Sequence, residues 1–298
     1  MRSTRPSPNT PRVTAASGAD RPMLTERLRS TAILVPPLLV VLWFGGPWLI
    51  LLVGLAVGFG AREVFRLLAA AGYAAFPALG VVLAIVIAIS EPISALPSGS
   101  GLLLASIGVL LTGAAALTRE DPRDGLASFM TTTFGALYVG LLGFVPRLAD
   151  QAPAVPSGAL LEVLGGDRGW VLVLVLGVWA FDSGAYLVGR RFGRRRFMAH
   201  ISPSKTIEGV VGGTAAVTLV TVLFVAGLGQ APLHGLLLGP LIAAAAQAGD
   251  LVESMLKRAA GAKDSGRLIP GHGGMLDRLD SFLFAAPAVL LYVLVAFP

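Results

Sequence analysis

The sequence predicts an all-α, polytopic integral membrane protein of about nine transmembrane helices. Three observations carry that expectation. The 298 residues are 55% hydrophobic and only 13% charged, with a mean hydropathy of +0.78, whereas a soluble domain carries about 25% charged residues. Apolar stretches of spanning length recur along the whole chain, and a hydrocarbon core roughly 30 Å thick needs about 20 apolar residues per helix. The short alternating strands of an outer-membrane barrel are not visible.

Taken in order, residues 1–29 are rich in Pro, Ser, Thr and Arg without an apolar core. They read as a disordered basic tail, not a secretory signal, which needs an apolar stretch and a small-residue cleavage site. Its six arginines beside a membrane suit topology determination and lipid-surface anchoring better than nucleic-acid binding. There are no cysteines, which excludes disulfides, thiolate metal sites and Cys nucleophiles.

Spans are expected near 31–45, 47–60, 77–96, 101–117, 129–146, 169–188, 209–228, 235–256 and 281–297. Pro36-Pro37 and Gly45-Gly46-Pro47 interrupt the first two, which form either a helical hairpin or one broken segment. Residues 61–72, with Arg62, Glu63 and Arg66, read as an amphipathic continuation along the membrane surface, and 147–168 as a loosely structured external loop. The chain divides into an N-terminal transmembrane region, 30–168, and a C-terminal catalytic one, 169–298. With the N-terminus in the cytoplasm, every Lys and Arg except Arg147 and Arg168 falls on the cytoplasmic side, as the positive-inside rule requires. Loops 189–208 and 257–280 then meet at the cytoplasmic face of a cell inner (plasma) membrane.

The polar chemistry is concentrated near the C-terminus. Asp250, Glu253, Ser254 and Lys257 lie at offsets 0, 3, 4 and 7, one stripe of a helix. Charge at the membrane boundary normally faces a bundle interior or watery cavity and has a partner, so the stripe is either an active-site face or an internal ion pair. Asp277 and Asp280 share a face at the start of the last span. Asp250 and Asp277 brought together would form an oxygen-rich site for Mg²⁺, which favours one or two carboxylates plus water and substrate phosphate. Simple N-terminal capping is the competing account of one Asp, but not of Asp-Arg-x-Asp after Pro270-Gly271-His272-Gly273-Gly274.

That glycine-rich run lets backbone N–H groups approach an anion at a helix N-terminus. A phosphate monoester nucleophile is already anionic near neutral pH, so His272 reads as a phosphate or loop-organising donor more than as a base. A second constellation comprises Asp182, Ser183 and Tyr186, then Arg190 to Arg196, then Ser202-Pro203-Ser204-Lys205-Thr206. The arginines read as topology and anionic-lipid attraction, while Lys205 beside two hydroxyls suits a phosphate.

The run Ser254-x-x-Lys257-Arg258, Lys263-Asp264, Pro270 to Gly274 and Asp277-Arg278-x-Asp280 resembles the signature of phosphatidate cytidylyltransferases, the CDP-diacylglycerol synthases. Asp182-x-x-Ala185-Tyr186-x-x-Gly189-Arg190 and Ser202-Pro203-x-Lys205-Thr206-x-Glu208-Gly209 are similar to a second region of that family. The resemblance covers about residues 180–281. It implies a homodimeric enzyme that joins CTP and phosphatidate into CDP-diacylglycerol and pyrophosphate using Mg²⁺, with a monovalent cation such as K⁺ nearby. It also implies metal ligation by Asp250 and Asp277, and catalytic positions at Lys257, Asp280 and Ser254. Substrate contacts are expected from Asp182, Ser202, Lys205, Arg258, Lys263, His272, Gly273, Gly274 and Arg278. The partners are CTP, phosphatidate and the bilayer, with no nucleic acid. Two other classes compete: a CDP-alcohol phosphotransferase, whose Asp-x-x-Asp-Gly-x-x-Ala-Arg pattern is absent, and a transporter, which would spread its acids through the bilayer.

Overall fold

A computed structural model describes residues 36–90, 100–268 and 273–297. The expected tail 1–29, the start of the first expected span, the end of the third and His272 lie outside the described residues. A short helical stretch over 36–44 precedes α1 (Gly46–Ala70), α2 (Pro77–Ser90), α3 (Ser100–Ala116), α4 (Pro122–Gly140) and α5 (Phe144–Gln151). Then follow α6 (Gly165–Phe192), α7 (Ile207–Gly227), α8 (Pro232–Ala259) and α9 (Leu276–Ala296). Among the described residues there is no strand; an isolated antiparallel bridge joins Arg196 and Thr206. Six segments are long and apolar enough to cross a membrane: α1, α4 continuing through α5, α6, α7, α8 and α9. Helices α2 and α3 are apolar but shorter, at 14 and 17 residues. The protein is an all-α polytopic membrane protein, with these eight segments where about nine spans were expected.

Local chemistry sets the helix ends. Pro47, Pro122 and Pro232 stand in the first turns of α1, α4 and α8, where a missing N–H costs nothing. Asp121 caps α4 by accepting from Arg123 N at 2.8 Å, and Thr206 caps α7 by accepting from Gly209 N at 3.1 Å. The last helix is different, because Met275 at its start has no capping side chain of its own.

Large apolar side chains remain exposed along the spans, among them Leu110, Leu291 and Val295. In water that surface would aggregate; here it is the face offered to lipid. Lipid is as apolar as leucine, so close packing of small residues, more than hydrophobic burial, draws the helices together. Gly249 shows this best: a Cβ there would run into the Asp280 carbonyl oxygen. That contact brings α8 and α9 together next to Asp250.

Two expectations differ from the structure. Residues 61–72 do not turn onto a surface; α1 is one 25-residue helix to Ala70, with Glu63 buried. The stretch 147–168 is not loose either. Helix α5 occupies its start, and Leu161 N donates to Gly227 O at the end of α7 at 2.8 Å.

Candidate active site

Successive helices α6, α7, α8 and α9 contribute the end of one, the start of the next, and so on, to a cavity of about 780 Å³. Asp182 and Tyr186 enter from the last turns of α6, Lys205 and Thr206 from the approach to α7, Gln247, Asp250 and Lys257 from α8, and Asp277, Arg278 and Asp280 from the first turns of α9. Residues from positions 181 to 281 thus line one space.

The carboxylates there fall into two groups. Asp250, Glu253 and Asp280 each place an oxygen within 4.8 Å of the others. Three ionised carboxylates so close repel by about 3–4 kcal/mol per pair at an effective dielectric near 20. Glu253 is fully buried, and its Oε1 has no hydrogen-bond partner. Two lysines offset part of that charge: Lys205 pairs with Asp250, and Lys257 pairs with Glu253. Ser254, buried beneath, lies 3.3 Å from Asp250 Oδ1 through its hydroxyl.

Asp277 is placed differently. Its Oδ1 accepts from Lys257 Nζ at 2.8 Å. Its Oδ2 accepts from Ser265 N and Ser265 Oγ, both at 2.9 Å, and from Gly274 N at 2.8 Å. Gly273, at φ 83°, supplies the left-handed turn that aims the Gly274 N–H at this carboxylate. Asp250 and Asp277, expected to be partners, therefore line the same cavity, but the acids clustered with Asp250 are Glu253 and Asp280. Asp277 serves as the anchor that holds Lys257.

Other expected residues divide in the same way. Asp182, Lys205, Lys257, Arg278 and Asp280 line the cavity, whereas Ser202, Ser254, Arg258 and Lys263 are not on its wall. Ser202 is buried in the turn before α7, where its carbonyl accepts from Lys205 N at 3.3 Å. Arg258 ties loops together through Ile201 O at 3.3 Å and Ala262 O at 3.2 Å. Lys263 is exposed.

Three contributions were not foreseen. Arg190 and Arg196, read as topological charge, reach the cavity wall, and Tyr186 accepts from Arg190 at 3.0 Å. Gln247 lines the cavity one turn before Asp250; it is 7% exposed and its Nε2 has no partner. Its place four residues after Ala243 on a buried face was a readable signal. Glu63, far away in sequence, accepts from Ser265 Oγ at 2.9 Å, Leu276 N at 2.8 Å and Met275 N at 3.1 Å.

As a chemical device the wall is balanced. Five acids and five bases face the cavity, with Glu253 behind them. A polyanion gains little from a neutral wall unless a cation joins it. The Asp250–Glu253–Asp280 group, all hard oxygen with one buried oxygen unpaired, fits a divalent cation of the Mg²⁺ type.

A profile of the cytidylyltransferase family matches residues 25–296. A phosphatidate cytidylyltransferase of Synechocystis sp. is 35% identical over 294 residues, covering 93% of this chain and 98% of the relative. The Bacillus subtilis phosphatidate cytidylyltransferase is 47% identical over 121 residues, covering 40% of this chain and 44% of the relative. One from Mycobacterium tuberculosis is 38% identical over 171 residues, covering 56% and 48% respectively.

Proposed function

This chain belongs to the cytidylyltransferase family of nucleotidyl-transferring enzymes, and we propose that it joins CTP to phosphatidate, giving CDP-diacylglycerol and pyrophosphate. An oxygen of the lipid phosphate forms the new bond to the α-phosphorus of CTP. The bond from that phosphorus to the bridging oxygen breaks, and pyrophosphate leaves with the electron pair. Such transfers need little covalent help; positioning and charge neutralisation supply most of the rate.

The observation that carries this reading is the cavity's combination of a clustered acid trio with lysines and arginines at one end of four packed helices. Asp250, with Asp280 and Glu253, would hold Mg²⁺, and Asp277 would join them through Oδ1, which has one protein donor only. When bound, the ion would supply charge neutralisation for the triphosphate and its departing pyrophosphate. A monovalent cation such as K⁺ would sit beside it. Lys205, paired with Asp250 in the structure, would hold the lipid phosphate. Lys257, fixed by Asp277, and Arg278 screen the repulsion between the two polyanions, and Arg190 and Arg196 draw the nucleotide in. Gln247 offers its unpaired amide to the polar part of the lipid nearest the acyl chains.

The cavity opens to the cytoplasmic side of the cell's inner membrane, as the lysine and arginine distribution supports, so CTP arrives from water while phosphatidate enters between spans. The enzyme works as a homodimer. Purified protein in detergent, with radiolabelled CTP, phosphatidate and a divalent ion, tests the reading when each is omitted in turn. Labelled CDP-diacylglycerol requiring all three is expected. Product formed from CDP-lipid and a free alcohol instead would assign the other enzyme class, and ion flux without bond breaking would assign a transporter.

A further inference from the structure

We propose that Glu63, on α1 in the N-terminal half, is a positioning residue that sets the nucleotide end of the active site by capping α9 from outside. Helix α9 starts without a side-chain cap of its own, which leaves its first N–H groups needing acceptors. Glu63 supplies them across the fold: Oε1 accepts from Met275 N at 3.1 Å and Oε2 from Leu276 N at 2.8 Å. The carboxylate is 8% exposed and is not on the cavity wall.

The same oxygen, Oε2, takes the Ser265 hydroxyl at 2.9 Å. Ser265 is fully buried, and its Oγ lies equally close to Asp277 Oδ2, at 2.9 Å. The hydroxyl has one proton, so it serves the two carboxylates by turns and ties their positions together. Arg66, one turn beyond Glu63, bonds the Ser265 carbonyl, so α1 grips that residue at two points. From Ser265 the chain of contacts runs to Asp277 and then to Lys257, which is on the cavity wall. Glu63 therefore governs where Asp277 and Lys257 stand without touching either substrate.

The inference rests on the cytidylyltransferase reading, because it says that displacing Lys257 and Arg278 weakens the grip on CTP. The test is Glu63→Gln in the full-length enzyme in detergent. An amide has one acceptor oxygen and one donor nitrogen, so it cannot accept from both N–H groups and the serine. The expected result is a rise of about tenfold in KM for CTP, larger than the accompanying changes in kcat and in the KM for phosphatidate. A loss of folded enzyme alone lowers kcat and leaves both KM values in place, and an unchanged KM for CTP overturns the proposal. Ser265→Ala, a milder change, is expected to move the same KM in the same direction by a smaller factor, which covers poor folding of the first variant. Amide hydrogen exchange gives an answer that does not depend on turnover. Peptides containing Ser265 and Gly274 to Asp277 should exchange at least tenfold faster in Glu63→Gln, with peptides of α7 unchanged; equal protection in both proteins also overturns it. A wild-type enzyme that makes no CDP-diacylglycerol overturns the function and leaves the exchange result to decide the clamp.

Discussion

Asp277 and the trio of Asp250, Asp280 and, behind the wall, Glu253 belong to one cavity but stand in opposite states of completion. Asp277 takes four hydrogen bonds from Lys257, Ser265 and Gly274. The trio has three acids within 4.8 Å, two lysines for compensation and one buried oxygen left unpaired. The first is nearly finished architecture, with Oδ1 alone left to reach an ion. The second is held together against its own repulsion, the condition of a site that stores instability for a ligand. The difference separates residues that build from residues that bind, and substitutions should split along the same line.

The largest effect is expected from removing one charge of the trio. Asp250→Asn or Asp280→Asn should lower turnover on the order of 100-fold, the scale of losing a charge that acts in the transition state. Asp280→Asn should unfold at an equal or higher temperature, because repulsion is relieved, whereas Asp250→Asn also unpairs Lys205. Turnover and thermal unfolding in one detergent measure both, and a stability loss in Asp280→Asn would break the contrast. Lys257→Met comes next: it leaves Glu253 buried and uncompensated, so a loss of about 3 kcal/mol or more is expected in unfolding experiments. Asp277→Asn should cost about 1–3 kcal/mol, since the amide meets donors it cannot accept from, together with about tenfold in turnover. Near-wild-type turnover in folded Asp277→Asn protein would remove this residue from the metal and lysine scheme.

Magnesium titration sharpens the same comparison without any reaction. At 100 times its dissociation constant a bound ligand adds about 2.7 kcal/mol, so Mg²⁺ should raise the unfolding temperature of wild type. It should do so little for Asp250→Asn. The smallest effect is expected at Arg258, whose guanidinium, among the described residues, bonds the backbone carbonyls of Ile201 and Ala262; Arg258→Ala should change turnover by less than about threefold.

How much of this was readable beforehand depends on sequence separation. The stripe Asp250–Glu253–Lys257 follows from helical spacing alone, and the structure keeps all three together. Helix class, the start of α9 near Asp277 and the convergence of two basic loops were equally legible, because periodicity and charge distribution are local or additive signals. Which acid meets which was not. Asp250 is clustered with Asp280 because Gly249 lets two backbones touch, a contact that depends on a single absent methyl. Arg190 and Arg196 looked like topological charge; the last turn of α6 carries the first to the cavity, and the fold of the 195–207 turn carries the second. Glu63 was the least legible: its partners begin 202 residues later. A carboxylate in an apolar helix signals that some partner exists but not where it is.

That separation has a temporal side. The α1 carboxylate leaves the ribosome 213 residues ahead of Leu276, one of the amides it finally receives. At roughly 5–20 residues per second that gap is on the order of 10–40 s of elongation. Throughout it the Glu63 carboxylate waits for the donors it finally accepts from. Assembly of this site thus closes on a helix made early, and a chain halted before residue 265 has none of the donors that Glu63 finally receives.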